Sequence, residues 1–313
     1  MNLIATIARH GSFAAAAREL GKVPSALTYS VRKFEDELDV LLFDRRGQRA
    51  VLTPAGRILL ADGQNLLNEA QSLTRRVRQI GSGWEDELRI GIDAVVAFEA
   101  VAPLLADFDQ LEAPTRIRLT YEVYHGTWLS LTRNKVDLAI GTTGAQPPVG
   151  LAPADQGREH GQGGRFFSSP LGTVQFVFCV APGHPLSQWP ANEPITDEAL
   201  RRHRVVVVAD SSDTQVNASV GIVDGQDCIT VATLEQKIRA QASGLGIGYI
   251  PESFARPWLE SGRLVERQVL TRRDPTDIFF AWSQPLPGKA LAWWLDKLAT
   301  RRVRQKLLMG PLN

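Results

Sequence analysis

The sequence has few cysteines and lacks the segments that insert a chain into a membrane. No apolar run approaches the roughly 20 residues that cross a bilayer, and the N-terminus lacks the basic, apolar and small-residue order of a signal peptide. These absences predict a cytoplasmic protein with no membrane partner. A single disulfide would not hold 313 residues together, and the apolar flanks of Cys179 and Cys228 predict buried thiols in strands.

The sequence also lacks the motifs of common enzyme classes. It contains no Gly-x-Ser-x-Gly elbow, no phosphate-binding loop and no His-Glu-x-x-His pair. Its five histidines are scattered, without partners at metal-ligand spacing. Residues 244–248 (Gly-Leu-Gly-Ile-Gly) resemble a dinucleotide fingerprint but lie between a helix and a strand rather than after a strand. We therefore predict no enzyme activity, no catalytic residue, no metal and no cofactor.

The net charge of +1 hides an uneven distribution. Residues 1–80 contain twelve Lys and Arg against eight Asp and Glu, a net charge of +4, which leaves −3 for the remainder. An excess of this size is also found on ordinary solvated surfaces, so charge alone does not identify a nucleic-acid face. Sequence motifs must therefore show whether this segment binds nucleic acid.

Two short helices with a glycine turn between them are predicted in the basic segment. Residues 12–20 are rich in alanine and stop at Gly21, and a second helix is predicted over residues 24–38, beginning at Pro24. Apolar residues recur along it at spacings of four, three and four: Leu27, Val31, Phe34 and Leu38. This pattern is typical of a helix-turn-helix whose second helix reads DNA, although an ordinary helical hairpin with a solvated face is the alternative.

The polar face of the second helix carries side chains that can contact phosphates or base edges. The DNA contacts predicted there are Ser25, Ala26, Thr28, Tyr29, Arg32 and Lys33. Two apolar runs then flank an arginine-rich glycine turn, which predicts a small hairpin, or wing, against the phosphate backbone. The candidate contacts of the wing are Arg45, Arg46, Arg49 and Thr53, with Arg49 preferred.

An ordered series of motifs over residues 11–56 resembles the LysR-type family of transcription regulators. It reads Gly-Ser-Phe-x-Ala-Ala-Ala, Ser-Ala-Leu-Thr, Lys-Phe-Glu-x-Glu-Leu, Leu-Phe-x-Arg and Leu-Thr-x-Ala-Gly. The resemblance implies a winged helix-turn-helix domain over residues 1–58. Family members usually carry more residues before the first helix, so the start of this chain is expected to be truncated or misassigned. Val23 and Pro24 replace the polar cap that is frequent in the family, so a different DNA preference is expected.

A heptad pattern follows the wing. Apolar or small residues alternate by four and three: Leu59, Gly63, Leu66, Ala70, Leu73, Val77 and Ile80. The pattern predicts a linker helix over residues 59–83 that serves for dimerisation, although a helix packed on its own domain would have similar spacing. The resemblance implies that this helix is the dimer seam of a homodimer or homotetramer, which presents two reading heads to double-stranded DNA.

From residue 86 onward, strand-like runs alternate with helical stretches, the first helix being expected at residues 94–111. Strands are predicted near residues 88–92, 117–123, 136–141, 174–180, 205–209, 229–231, 247–250 and 278–282. The alternation predicts an α/β domain with mostly parallel sheets. Landmarks such as Gly-His-Pro-Leu at 183–186 and Gly-Arg-Leu at 262–264 resemble the LysR-type effector domain.

The predicted fold class is therefore mixed. An α-rich winged helix-turn-helix and a linker helix precede an α/β, two-lobed, periplasmic-binding-protein-like effector domain over residues 86–313. The resemblance implies a lobe I of about 86–165 plus 265–300 and a lobe II of about 166–264, with crossovers near Phe166 and Val265. The glycine-rich link at 141–164 is longer than the family leads us to expect.

Ligands of such sheets bind beyond the carboxyl ends of the strands, where helix N-termini present free amides. The effector contacts predicted on this basis are Asp93, Ala94, Val95, Phe98, Thr127, Trp128, Thr142, Asp210, Thr233 and Leu234. Asp93 and Thr233 are equally well explained as helix caps, and Trp128 as core. Many family members have Ser or Thr in place of Asp93, whose hydroxyl helps to hold an inducer carboxylate. An aspartate there, with aromatic walls from Phe98 and Trp128, predicts an uncharged or phenolic inducer.

The predicted function is a sequence-specific DNA-binding transcription regulator. Its C-terminal domain is expected to bind a small organic inducer and thereby to alter promoter binding or activation, with RNA polymerase as a further partner. The alternative is a periplasmic-binding-protein-like small-molecule-binding protein, or an enzyme, with a vestigial DNA-binding domain. A solute-binding protein would leave residues 11–56 unexplained and would require export.

Overall fold

The computed structural model describes residues 2–44, 49–148, 151, 166–212, 221–283 and 287–310, without the side chains of Arg76, Arg78 and Gln79. The chain forms two compact units, Met1–Thr74 and Arg75–Asn313. No helix in the described ranges is long and apolar enough to cross a bilayer. The predicted wing residues Arg45 and Arg46, and most of the glycine-rich link, lie outside the described residues.

The first unit contains three short helices, a small hairpin and the start of a long helix. These elements are α1 (Asn2–His10), α2 (Phe13–Glu19), α3 (Pro24–Leu38), β1 (Phe43–Asp44), β2 (Val51–Leu52) and α4 (Pro54–Ser82). Helix α2 begins after Ser12, whose hydroxyl accepts a hydrogen bond of 3.3 Å from Ala15 N. It stops before Gly21, whose φ of +62° suits glycine. Both helices of the predicted helix-turn-helix are present, and α3 has the predicted bounds.

The core of the first unit joins the three short helices to the hairpin. Its buried apolar residues are Ile4, Ile7, Ala16, Ala17, Leu27, Val31, Leu42 and Phe43. The predicted stripe of α3 is wrong at Phe34 and Leu38, which are 43% and 48% exposed. Glu35 is buried instead, and its Oε1 accepts hydrogen bonds from Leu42 N (2.8 Å) and Phe43 N (3.2 Å). The carboxylate thus provides acceptors for two amides that enter the hairpin.

Helix α4 begins at Pro54, earlier than predicted. Thr53 caps it, since Thr53 Oγ1 accepts a hydrogen bond of 3.0 Å from Gly56 N. Four heptad positions are strongly exposed: Leu66, Leu73, Val77 and Ile80 are 72%, 55%, 61% and 86% accessible. The helix therefore exposes an apolar row where the sequence predicted a seam.

The second unit alternates strands and helices as predicted. Its elements are β3 (Glu87–Asp93), α5 (Phe98–Asp109), β4 (Arg116–Glu122), α6 (His125–Thr132), β5 (Leu138–Thr143), β6 (Phe167–Val174), β7 (Phe176–Val180), α7 (Asp197–Arg201), β8 (Val205–Val208), β9 (Cys228–Val231), α8 (Leu234–Ala242), β10 (Gly248–Pro251), α9 (Glu252–Glu260), β11 (Val265–Glu266), β12 (Thr276–Trp282), α10 (Lys289–Ala299) and α11 (Arg301–Leu307).

Two sheets give the second unit its two lobes. The sheet of lobe I has the order β4-β3-β5-β12-β6, and only β12 runs against its neighbours. In lobe II, β7 lies between β10 and β11 and runs against both. The parallel pair β8-β9 joins this sheet through a bridge between Val205 and Ile247. The expectation of mostly parallel sheets therefore holds for strand direction in lobe I, but in lobe II the sheet β10-β7-β11 is antiparallel and only the pair β8-β9 and its bridge are parallel.

The chain crosses between the lobes later than expected. Strand β6 still belongs to lobe I and β7 already to lobe II, so the first crossing is at Gln175 rather than near Phe166. The second lies between β11 and β12 rather than at Val265, which is still paired with Val180. The sequence concealed β6 because residues 168–173 (Ser-Ser-Pro-Leu-Gly-Thr) are mostly turn formers, and pairing with β12 overrides that preference. The other domain limits remain predictions.

Two smaller expectations are also corrected. The helix predicted from residue 94 begins only at Phe98, because the preceding residues form a turn in which Val95 N donates to Asp93 Oδ1. Both cysteines lie in strands, but only Cys179 is buried and Cys228 is exposed.

Candidate functional site

Helix α3 has one buried side and one polar, solvent-facing side. Leu27 and Val31 are fully buried, whereas Tyr29 is 72% exposed. The other exposed residues predicted to contact DNA are Ser25, Ala26, Arg32 and Lys33. Thr28 is half-buried, and its Oγ1 donates a hydrogen bond of 3.0 Å to Pro24 O. The polar side therefore offers cations and hydroxyl groups of the kinds that contact phosphates and base edges.

The wing hairpin is attached to the turn between α1 and α2. Ala50 N donates a hydrogen bond of 2.8 Å to Gly11 O. Arg49 is exposed, and its aliphatic carbons lie over Gly11, where an added Cβ would be 3.5 Å from Arg49 Cδ. The guanidinium is thus carried by a stem that packs on the helix-turn-helix.

Thr53, predicted to contact DNA from the wing, forms hydrogen bonds within the fold. Its Oγ1 donates to Leu41 O (2.7 Å) and accepts from Gly56 N (3.0 Å). Because the hydroxyl is used twice within the fold, Thr53 positions the wing against α4 rather than offering a free donor.

A small cavity lies between the two lobes of the second unit, and we call it the inter-lobe cavity. Its volume is about 30 Å³, which is room for about one or two water molecules. Its walls are Asp93, Ala94, Val95, Val123, Tyr124, Phe176, Val208, Leu234, Lys237, Tyr249, Pro251 and Arg273. Four of the predicted effector contacts, Asp93, Ala94, Val95 and Leu234, are among them. The carboxyl ends of β3, β4 and β8 meet here, as expected for a binding crevice.

Asp93 is the acidic group of the cavity. Burial raises the pKa of its carboxyl to about 7, while hydrogen bonds from Val95 N (3.0 Å) and Thr127 Oγ1 (3.2 Å) act in the opposite direction. Gly141 makes room for it: its φ is +103°, and a Cβ there would lie 2.6 Å from Asp93 Cβ. Asp93 is therefore a closely packed carboxyl that accepts a proton near neutral pH.

Two basic groups line the same cavity. Burial, and then the charge of Arg273, lower the pKa of the Lys237 ammonium to about 7. Burial also lowers the pKa of the Arg273 guanidinium, which hydrogen-bonds to the Tyr124 side chain. The guanidinium carbon lies 3.3 Å from the centroid of the Phe176 ring. Phe176 follows directly on the first crossing and Arg273 lies within the second, so this contact joins both crossover segments.

Direct contacts hold the two lobes together beside the cavity, and we call them the latch. His125 Nδ1 lies 2.9 Å from Asp210 Oδ2. Ser211 Oγ donates to Glu122 Oε2 (2.6 Å) and accepts from Val123 N (2.9 Å). The predicted contact Asp210 is thus occupied by a partner from the opposite lobe.

A larger groove adjoins the inter-lobe cavity and shares Ala94 and Leu234 with it. Its volume is about 490 Å³, and it is lined mainly by apolar and aromatic residues. Phe98 and Thr233, both predicted effector contacts, lie here. Thr233 is also the cap of α8, since its Oγ1 accepts from Gln236 N (3.1 Å). The alternative interpretation of Thr233 as a helix cap is therefore confirmed. Thr233 also lines the groove.

Besides Asp210 of the latch, three predicted contacts do not line either space. Trp128 is fully buried beside Phe166, and its Nε1 donates to Thr143 O (3.1 Å), so its assignment as an aromatic wall is wrong. Thr142 is buried within β5. Thr127 is buried behind Asp93, to which it donates. Tyr124, Phe176 and Tyr249 supply the aromatic walls instead.

Sequence reasoning missed Lys237, Tyr124 and Arg273. For Lys237 a signal was present, because it occupies a buried helical face with Leu234, Ile238 and Gln241. A lysine within such a row is unusual, because lysine is almost never fully buried unless it is paired. Tyr124 and Arg273 lie outside regular elements, where the sequence gives no direction for a side chain. Among the described residues, no group of three His, Cys, Asp or Glu is placed to hold a metal ion.

Two family models match the chain. The model for bacterial regulatory helix-turn-helix proteins of the lysR family matches residues 1–57, and the LysR substrate binding domain matches residues 81–302. The uncharacterized HTH-type transcriptional regulator YeeY of Escherichia coli K12 is 34% identical over 296 residues, 95% of this chain and 91% of the relative. The HTH-type transcriptional regulator PunR of the same strain is 31% identical over 306 residues, 98% and 94% of the two chains.

Solved structures share the fold. The full-length virulence activator AphB of Vibrio cholerae, a member of the LTTR protein family, matches with a TM-score of 0.53 at 19% identity, covering 95% of this chain and 97% of that one. ArgP of Mycobacterium tuberculosis matches with a TM-score of 0.51 at 20% identity, covering 99% of each chain. The predicted combination of a helix-turn-helix unit with a two-lobed α/β domain is thereby confirmed.

Proposed function

Because the chain belongs to the LysR family of bacterial transcriptional regulators, we propose that α3 and the wing read a DNA site while a small organic effector binds in the inter-lobe cavity. Members of this family are DNA-binding regulators with an effector-binding domain and are not enzymes. In our proposal the effector changes the arrangement of the lobes and thereby promoter binding or activation.

The division of α3 into two sides carries the DNA-binding half of the proposal. Burial of Leu27 and Val31 fixes the rotation of the helix, so Tyr29, Arg32 and Lys33 must face outward. A helix rotated in this way can enter the major groove, where arginine and hydroxyl side chains distinguish bases. Arg49 of the wing adds a sequence-independent contact to the phosphates.

The test of DNA reading is the selection of bound sites from a randomised DNA library, followed by footprinting on the DNA upstream of the protein's own gene. We expect Tyr29→Ala to change the selected sequence or to reduce specificity, while binding at low salt persists. Arg302→Ala removes a charge from an exposed position of α11 and should leave selection unchanged. If Tyr29→Ala selects the same sites with the same affinity, α3 is not the reading helix.

The effector half of the proposal rests on the composition of the inter-lobe cavity. Asp93 would repel a carboxylate placed directly against it but can accept a hydrogen bond from a hydroxyl. This favours the uncharged or phenolic ligand predicted from sequence. Tyr124, Phe176 and Tyr249 offer flat surfaces to an aromatic ring, so we carry the phenolic ligand forward.

The exposed apolar row of α4 supports self-association. We propose that α4 pairs with α4 of a second copy, giving a homodimer or, by further contacts, a homotetramer. A dimer would present two copies of α3 to an inverted repeat. Such a regulator would act in the cytoplasm, with RNA polymerase as a further partner.

A further inference from the structure

The Lys237 ammonium lines the inter-lobe cavity without a partner in the described part of the chain. Only 4% of this residue is exposed, and the described residues give it neither a hydrogen bond nor an ion pair. The two groups that influence its charge are Arg273, which repels it, and the Cys179 thiol. Burial raises the pKa of that thiol to about 12, so it stays neutral near pH 7. Burial without a counter-ion lowers the pKa of Lys237 to about 7, and an anion placed beside it would favour the charged form.

Arg273 adds a second cation without a carboxylate partner. Its guanidinium contacts the Phe176 ring and the Tyr124 side chain, but the described residues contain no ion pair for it. The Tyr249 hydroxyl donates to Thr271 O (2.8 Å) and accepts from the backbone N of Arg273 (3.1 Å), and it supplies no carboxylate to the guanidinium. Two basic side chains, Lys237 and Arg273, therefore line the same cavity.

The carboxyl of Asp93 does not neutralise these cations. It accepts hydrogen bonds from Val95 N and Thr127 Oγ1, and among the described residues it forms no ion pair with Lys237 or Arg273. Tyr124 lines the same cavity, and its side chain is hydrogen-bonded to Arg273. The cavity is thus lined by two basic side chains, Lys237 and Arg273, and by the separate buried carboxyl of Asp93.

We propose that Lys237 and Arg273 bind the acidic group of the effector while Asp93 accepts a hydrogen bond from a hydroxyl at its far end. Tyr124, Phe176 and Tyr249 form the walls between the two ends, so the ligand is a hydroxylated aromatic carboxylic acid. This assignment rests on the proposed function, because it names the ligand of the same cavity. It narrows the phenolic ligand to an acidic one and excludes an uncharged one.

Such a ligand is larger than the cavity as it stands. A volume of about 30 Å³ holds about one or two waters, whereas sites for small organic molecules usually offer roughly 300 Å³ or more. The lobes must therefore separate on binding, and the latch contacts between His125 and Asp210 and between Ser211 and Glu122 are the ones that would open. In this assignment the ligand can bind only when the lobes move apart.

The experiment compares acids with their neutral amides on the full-length protein. Thermal unfolding is recorded with 4-hydroxybenzoate and 4-hydroxybenzamide, with 3-hydroxybenzoate and 3-hydroxybenzamide, with 4-hydroxyphenylacetate and its amide, and with unsubstituted benzoate. We expect a rise in Tm with at least one hydroxy acid, a smaller rise with benzoate and none with the matching amide. Calorimetry then gives the Kd of the acid that produces the largest rise.

Variants of Lys237 and Arg273 test whether these residues bind the acidic group of the ligand. Lys237→Met keeps the length of the side chain and removes its charge, and we expect it to weaken binding of that acid at least about tenfold. The matched control is Lys135→Met, which makes the same change at an exposed position and should leave the Kd unchanged. The Tm of each variant without ligand shows that it is folded, and Arg273→Gln is a second variant at the same end.

The outcomes separate this inference from the proposed function. A hydroxy acid that binds the Lys237→Met protein as well as the parent overturns the anion end but leaves an effector site. Stabilisation by the amides but not by the acids overturns the acidic ligand and again leaves the proposed function standing. If neither the acids nor the amides stabilise the protein, the hydroxy-aromatic assignment is wrong. The effector role of this cavity then falls as well if a broad metabolite panel also gives no shift.

Discussion

His125 of lobe I and Asp210 of lobe II meet across the cleft with 2.9 Å between Nδ1 and Oδ2. The two residues are 85 positions apart in sequence, and each follows the end of a strand in its own lobe. Their contact, together with that of Ser211 and Glu122, holds the inter-lobe cavity at its small volume. A ligand that enlarges the cavity must work against this pair.

Removal of the latch pair should therefore favour ligand binding. A hydrogen bond of this kind contributes about 1 kcal/mol, so His125→Ala should lower the Kd of the best stabilising acid about fivefold. Calorimetry on the full-length protein measures this, with His203→Ala in lobe II as the control. Weaker binding by His125→Ala would mean that the bound lobes keep the latch closed.

Asp93 should make stability depend on pH. In the unfolded chain its carboxyl has a pKa of 3.8 and in the folded protein about 7, so between these values only the folded state holds the proton. Stability contributed by this group is present below about pH 4, falls as the pH rises to about 7 and is level above. Asp93→Asn should remove this slope and be more stable than the parent at pH 8 by up to about 4 kcal/mol.

Urea unfolding at several pH values between 4 and 8 measures the Asp93 effect. The useful quantity is the difference between Asp93→Asn and the parent, because the contribution of Lys237, which acts above pH 7, is common to both. Asp296→Asn, at an exposed position of α10, serves as the control and should keep the parent slope. An unchanged slope in Asp93→Asn would show that the carboxyl is ionised throughout this range.

Glu35 should stabilise the junction between α3 and the wing. Glu35→Ala leaves the amides of Leu42 and Phe43 without their acceptor, at a cost of about 1–3 kcal/mol for each unsatisfied group. Hydrogen exchange of the full chain should show lost protection within residues 2–44. Glu37→Ala, at an exposed position two residues away, should leave protection unchanged. Equal protection in both variants would contradict the structural role of the buried carboxylate.

Arg49 should contribute affinity but not specificity. Arg49→Ala is expected to weaken binding to all DNA sequences and to reduce the slope of log K against log salt by about one. Titrations at several salt concentrations measure both quantities, with Arg302→Ala as the charge control. An unchanged slope would remove the wing arginine from the interface.

The apolar row of α4 should determine the oligomeric state. Leu73→Lys and Val77→Lys place charges on the row and are expected to give monomers in sedimentation equilibrium. Gln71→Lys adds the same charge at an exposed position outside the row and should leave the mass unchanged. A dimer that survives both apolar substitutions would place the self-association elsewhere.

The sequence predicted elements better than side-chain positions. Helix α3 has the predicted bounds because Pro24 and the end of its periodicity are local signals. Its buried face was misassigned because Glu35 is buried by hydrogen bonds to the hairpin, which periodicity of apolar residues does not register. Strand β6 was missed for a related reason, since pairing with β12 is a distant interaction.

The candidate site shows the same limit. The rule that ligands bind beyond strand ends identified Asp93 and Leu234, which follow from local order along the chain. It also suggested Trp128, whose ring turns into the core beside Phe166. Lys237 and Arg273 come to the cavity from α8 and from the second crossover segment, so only the fold brings them together.

The contact between Arg273 and Phe176 has a mechanical consequence. Phe176 follows directly on the first passage of the chain between the lobes and Arg273 lies within the second, so in the proposed movement the pair would lie where the lobes turn. A ligand group that moves the Arg273 guanidinium away from the Phe176 ring would act directly on the crossover segments. The effect would then not depend on changes in the core of either lobe. In such a rotation, a small displacement at Arg273 would produce a larger displacement at the far edge of each lobe.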